Sequence, residues 1–192
     1  MTQYEIKNLY EKYVCMESSK FKGFRLSDET MQKINENAHK RAESKLNETH
    51  HIVDNRKEIK RITTGIKGEY AVGRLLNIDV VDWSVGNSND YNYPDIPGYT
   101  VGVKTSVKWN FPVIYKNNKY PQIFCIVNDI HENYVYVCGL ATPDVLNKYQ
   151  TDELILDENL RNRGTKTCFY GFDKLVPVST LNDIEKYRKA EF

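Results

Sequence analysis

Apolar positions in the first part of the chain recur at helical spacing. Leu9, Tyr10, Tyr13 and Val14 make a short amphipathic pattern. Ser27 stands where a helix N-cap belongs, and Asp28 and Glu29 after it suit the positive end of a helix dipole. From Asp28 to about Leu46, Met31, Ile34, Ala38, Ala42 and Leu46 recur at steps of three and four, which predicts a helix with one narrow apolar stripe. A second helix is predicted from Asp54 to Leu76 on the period of Ile59, Ile62, Ile66, Gly73 and Leu76. Glu69 follows Ile66 by three residues and so borders the buried face of that helix.

The period then changes to that of strands. Strands are predicted over 80–85, 95–99, 100–107, 113–115, 122–129 and 134–140, with GNSNDYNY (86–93) as a loop. Thr142 and Pro143 open a short helix as N-cap and first helical residue. Residues 151–164 read as irregular, 167–172 as a late strand, and Ser179 or Thr180 starts a terminal helix. The order predicts an α/β fold, a central mixed β-sheet flanked by helices, with an N-terminal helical extension. Residues 1–50 form that arm and residues 51–192 the main domain.

Composition changes this picture little. A chain of 192 residues with 40% hydrophobic and 28% charged residues is ordinary for a globular protein. The net charge of +1 argues against a globally basic nucleic-acid binder but permits a local basic patch. No apolar run is long enough to span a bilayer, and MTQYEIKNLYEKYVCMESSK lacks the apolar stretch of a secretory signal. Cys15, Cys125, Cys138 and Cys168 show no zinc-ligand spacing, and Cys125 and Cys138 within apolar runs read as buried free thiols. A cytoplasmic location is expected. The abundance of Asn, Lys and Tyr points to an AT-rich genome, that of a low-GC bacterium or its phage.

Three segments carry candidate chemistry: GIKGEYAVGRLL (65–76) with Glu69 on a helix, YPDI (93–96) with Asp95 at a strand start, and TVGVKTS (100–106) with Lys104 on a strand. Alternation puts Gly102, Lys104 and Ser106 on one face of that strand and Val101, Val103 and Thr105 on the other. A lysine in an apolar strand is costly unless it meets a polar site or guards an edge. Two carboxylates and an ammonium suit phosphodiester hydrolysis. The acids hold a hard divalent cation, and the lysine orients water and neutralises the phosphate.

In these motifs and their order, the chain resembles the PD-(D/E)XK, or restriction-endonuclease-like, nucleases over about residues 54–185. The resemblance implies the core fold of that family and a metal-dependent DNA endonuclease. Glu69, Asp95 and Lys104 would be its catalytic residues, and Glu69, Asp95 and the Val103 carbonyl would bind Mg²⁺, with Mn²⁺ as a substitute. DNA would be the partner, with a homodimer placing one site on each strand. One position departs from the family pattern. Gly102 stands where the second acid, two residues before the lysine, belongs. Three readings follow: an acid has migrated from Asp90 or Asp82, the remaining oxygens suffice, or the site is inactive and the fold binds DNA or a protein, as in a phage regulator or counter-defence protein. A structural protein that only mimics the motif is a further alternative.

Lys67, Arg74, Ser106 and Lys108 are candidate nucleic-acid contacts, with Lys116 beside them, against a plain reading as solvated surface. The adjacent His50 and His51 do not share a helix face and make a poor joint metal site. Trp83, Tyr91, Tyr93 and Trp109 flank the motifs, and core or rim positions are the simpler reading than base stacking.

Overall fold

The computed structural model describes residues 2–46, 55–84 and 94–189. Helix α1 (Gln3–Tyr13) is closed at its start by a capping box of Thr2 and Glu5. A 3₁₀ turn and strand β1 (Lys22–Arg25) lead to α2 (Asp28–Leu46), where the Ser27 hydroxyl accepts from the Thr30 amide at 3.2 Å, as the N-cap expectation requires. Helix α3 (Asn55–Leu76) follows, and then strands β2 (Gly102–Val107), β3 (Val113–Tyr115), β4 (Gln122–Val127) and β5 (Tyr134–Ala141). Helix α4 (Pro143–Lys148) has Thr142 as N-cap. The chain ends through β6 (Gln150–Thr151), α5 (Glu158–Asn162), β7 (Lys166–Phe169) and a 3₁₀ helix over Leu181–Tyr187.

The main sheet has the order β1-β5-β4-β2. Strands β2 and β4 run parallel and the other pairs antiparallel, so the sheet is mixed and the fold is α/β. A smaller sheet, β3-β7-β6, packs against one face. Two apolar layers result. On one side, Ile62, Ile66, Val72 and Leu76 of α3 meet Ile123, Cys125 and Val127 of β4, and α2 stacks outside through Ile34, Ala38 and Ala42. On the other, Ile6 and Tyr10 of α1 meet Phe124 and Ile126, and Phe124 stacks on Phe169 with ring centroids 4.5 Å apart. The apolar stripes of both N-terminal helices are therefore spent on the sheet and its partner helix.

A bulge explains why β5 is apolar along its whole length. The pairing with β4 slips between Phe124 and Cys125, and Gly139 takes φ 140° there, where a Cβ would lie 2.7 Å from the Val176 carbonyl oxygen. The extra residue inverts the alternation, so Leu140 joins Val135 and Val137 in the α3 layer.

Two predicted strands are absent. Residues 80–84 belong to no strand. Helix α2 holds them instead: Asn37 Nδ2 donates to the Trp83 carbonyl at 2.8 Å, and Arg41 donates to the Asp82 carbonyl. Residues 95–99 form a turn, because Pro97 and Gly98, at φ 78°, interrupt an extended run. Strand β1, four polar-flanked residues, gave no alternating signal and forms by pairing with β5. The loop 86–93 and residues Glu48, His50, His51, Asp90, Tyr91 and Tyr93 lie outside the described residues. No helix among the described residues is long and apolar enough to cross a membrane. All four cysteines are free, with Cys125 and Cys138 buried as expected.

Candidate active site

Strand β2 is the outer strand of the main sheet, so one side of its backbone is unpaired by strand. Gly102 donates inward to the Pro121 carbonyl at 3.0 Å. The next amide, that of Val103, faces outward and donates to Asp95 Oδ2 at 2.5 Å. Because a strand residue's amide and carbonyl leave on the same side, the Val103 carbonyl also faces this edge. The bond explains why Asp95 sits here: its turn folds back along β2, with the Ile96 amide bonded to the Val101 carbonyl at 3.1 Å.

The turn is braced from the far end of the chain. Thr100 donates its amide to the Tyr187 carbonyl and Lys189 donates to the Gly98 carbonyl, each at 2.8 Å. The Tyr99 hydroxyl donates to Glu185 at 3.1 Å and accepts from Arg188 at 3.1 Å.

Glu69 arrives from α3. Gly68 beside it lies against Thr105, and a Cβ there would overlap the threonine hydroxyl, so a glycine lets the helix settle close onto β2. Glu69 is half-buried, and its carboxyl is pushed up to about 7. Burial is the main cause, and the negative charges of Asp95 and Asp82 add to it against the opposing pull of Arg41. Asp95 is raised as well. The protein packed around its carboxylate dominates, although the residue itself stands at an exposed turn, and the Val103 amide and Lys104 oppose it. Lys104 is half-buried on the opposite face of β2 from Thr105, in register with Phe124. Burial holds its ammonium below the ordinary value. Lys166 adds to this effect, while Asp95 and Tyr115 oppose it. Asp95 thus links the other two: its charge acts on Glu69 from the helix side and on Lys104 from the strand side.

The other predicted residues divide. Asp82 is exposed, bonds the Ser84 amide at 2.9 Å, and adds its charge to Glu69. Lys67 is 3% exposed and pairs with Glu132 at 3.7 Å, away from the Asp95 turn. Ser106 is buried, and its hydroxyl has no partner. Arg74 is exposed beside Tyr70, and Lys108 lies over the Trp109 ring at 4.8 Å. Trp109 packs on Tyr10 and donates to Asp129 at 2.9 Å, while Trp83 is covered by the Lys33 ammonium at 3.9 Å. Both tryptophans are core and rim residues.

One residue escaped the sequence reading. Gln122 pairs with Gly102 in the β2–β4 register, and a Cβ on Gly102 would meet the Gln122 amide at 2.5–2.9 Å. A neutral carboxamide therefore fills the place beside the missing acid. No sequence spacing signals this, because it depends on parallel pairing across an intervening segment. Among the described residues no group of three or more His, Cys, Asp or Glu side chains is placed to hold a metal ion. The donors at the edge are the Asp95 carboxylate and the Val103 carbonyl, with Glu69 close enough to Asp95 to be affected by its charge. Carboxylate and carbonyl oxygens are hard donors, of the kind Mg²⁺ takes when it keeps several of its waters. No family model, curated protein or solved structure matches this chain.

Proposed function

We propose that the chain is a divalent-metal-dependent DNA endonuclease built on a PD-(D/E)XK-type core, with Glu69, Asp95 and Lys104 as its working residues. The observation that carries this reading is Asp95 at the outer edge of β2, whose charge acts on Glu69 of α3 and on Lys104 of β2. Glu69 and Asp95, with the Val103 carbonyl and the Gln122 amide oxygen, would hold Mg²⁺. When bound, the ion supplies Lewis acidity and a more acidic water. Asp95 is fixed by the Val103 amide and so presents its other oxygen in a constant direction. Lys104, held below its ordinary value, is suited to orient water and take its proton, and in its charged form to neutralise a phosphate oxygen. Burial and the charge of Asp95 push the Glu69 carboxyl up to about 7, and a bound cation would favour its ionised form.

The test is incubation of supercoiled plasmid with the protein and Mg²⁺ or Mn²⁺, beside Glu69→Ala and Lys104→Ala. Metal-dependent nicking is expected, reduced by about 10²-fold or more in each variant. Cleavage that persists in both variants rejects the assignment of roles. DNA retention without cleavage favours the second reading, a silent binding module, which Gly102 supports because it stands where the second acid belongs, beside the neutral Gln122. Gly102→Glu combined with Gln122→Ala makes room for that acid, and gained cleavage would identify the missing ligand.

A further inference from the structure

A second charged locus lies on the same helix, outside the Asp95 edge. A cleft of about 330 Å³ opens between α2, α3 and the carboxyl ends of the parallel strands β2 and β4, where Val107 and Val127 form its floor. In open α/β sheets, ligands collect at the carboxyl ends of parallel strands. The volume is at the small end of ligand pockets.

The lining is cationic. Lys60, Thr63, Thr64 and Lys67 fall on one stripe of α3 at helical spacing, and His39 faces them from α2. Lys67 is the unusual member. Its side chain is 3% exposed, and the carboxylate facing it is Glu132, 3.7 Å away and itself 61% exposed on the β4–β5 turn. A buried ammonium costs several kcal/mol of solvation unless it is closely paired, and a pair 3.7 Å long to an exposed surface carboxylate compensates weakly. Two ammonium groups on one wall of a small cleft, with one exposed carboxylate beside the buried one, make a place for a second anion.

We propose that this cleft binds a phosphoryl group between Lys60 and Lys67, with Glu132 as the internal anion that it displaces. The ligand is a phosphate monoester of a small molecule or a diester of a nucleic-acid strand, since both offer the same oxygens. The site does not depend on the proposed hydrolysis, and its test omits metal.

The full chain is titrated with inorganic phosphate, adenosine monophosphate and a short oligothymidine, followed by calorimetry and by the shift in melting temperature. Saturable binding is expected. Lys67→Met and Lys60→Gln weaken it by about tenfold or more, and Glu132→Gln tightens it by about threefold, because the competitor is gone. Preference for the mononucleotide assigns a small-molecule site. Preference for the oligonucleotide, with steep salt dependence, assigns a strand contact. Glu69→Ala binds as the parent does, which separates this site from the catalytic proposal. If Lys67→Met does not fold, Lys60→Gln and Glu132→Gln still move affinity in opposite directions. The proposal is overturned if neither the parent nor Glu132→Gln binds any of the three, or if the lysine variants bind as the parent does.

Discussion

Lys67 and Glu69 are separated on α3 by one glycine and about 200° of helix rotation, and they show two ways of burying a charge. Both are driven toward their neutral forms by burial. Lys67 has an opposite charge, Glu132, to offset part of that cost, whereas Glu69 has the like charges of Asp95 and Asp82 to increase it. A carboxyl kept under that pressure is a place for a proton or a cation to act. A lysine with a loose counter-ion is a place where one anion can replace another. Perturbed groups gather where proteins do chemistry or bind, and here one helix turn carries both kinds.

The strongest way to break the comparison is to move the helix. Gly68→Val puts a branched side chain into Thr105 and should cost about 1–3 kcal/mol in urea unfolding. In the folded fraction both Lys67 and Glu69 should titrate closer to their ordinary values, as α3 lifts from the sheet. A variant as stable as the parent would mean that the close approach at Gly68 is not needed.

The next effect is pH-dependent. Glu69 titrates near 4.5 when free and near 7 in the fold, so below 4.5 both states are protonated and the group has no effect. Between these values the folded chain holds more protons than the unfolded one, and stability falls as pH rises, by on the order of 2 kcal/mol allowing for partial exposure. Glu69→Gln should therefore match the parent near pH 4.5 and exceed it in melting temperature at about pH 8. Added Mg²⁺ should narrow that gap by stabilising only the parent. The opposite order at alkaline pH would show that the glutamate is comfortably solvated.

The smallest effect separates the two causes acting on Glu69. Asp95→Asn removes the nearer like charge and leaves burial, so the Glu69 carboxyl resonance should titrate below 7 yet stay above its ordinary value of 4.5. An unchanged midpoint would place the two acids too far apart to share an ion.

Much of the helical part was legible in the sequence. The apolar stripe of Met31, Ile34, Ala38 and Ala42, the Ser27 cap and the end of α3 at Leu76 all follow from local periodicity and capping, which act within a few residues. Strands β3, β4 and β5 were legible from runs of β-formers. Strand β1 was not, because KGFR is recruited by β5 and has no period of its own. The 80–84 segment carries strand-like residues, but side chains of α2 satisfy its carbonyls before any strand does. At the candidate site, Lys104 stood out as a lysine set in an apolar strand, and Asp95 only through the YPDI motif. Gln122 and the Lys67–Glu132 pair were not legible, since each depends on contacts between segments far apart in sequence.

The brace on the Asp95 turn ties the edge of β2 to residues 185–189. Those residues act as a splint: the acid is aligned by its own amide contact, but the loop that presents it is held by backbone bonds from the last helical turn. Trimming the chain after Ile184, which is buried in the core, would leave the central sheet intact and let that loop swing. A shortened or C-terminally fused protein would then look well folded by circular dichroism and still be a poor witness to what the intact edge can do.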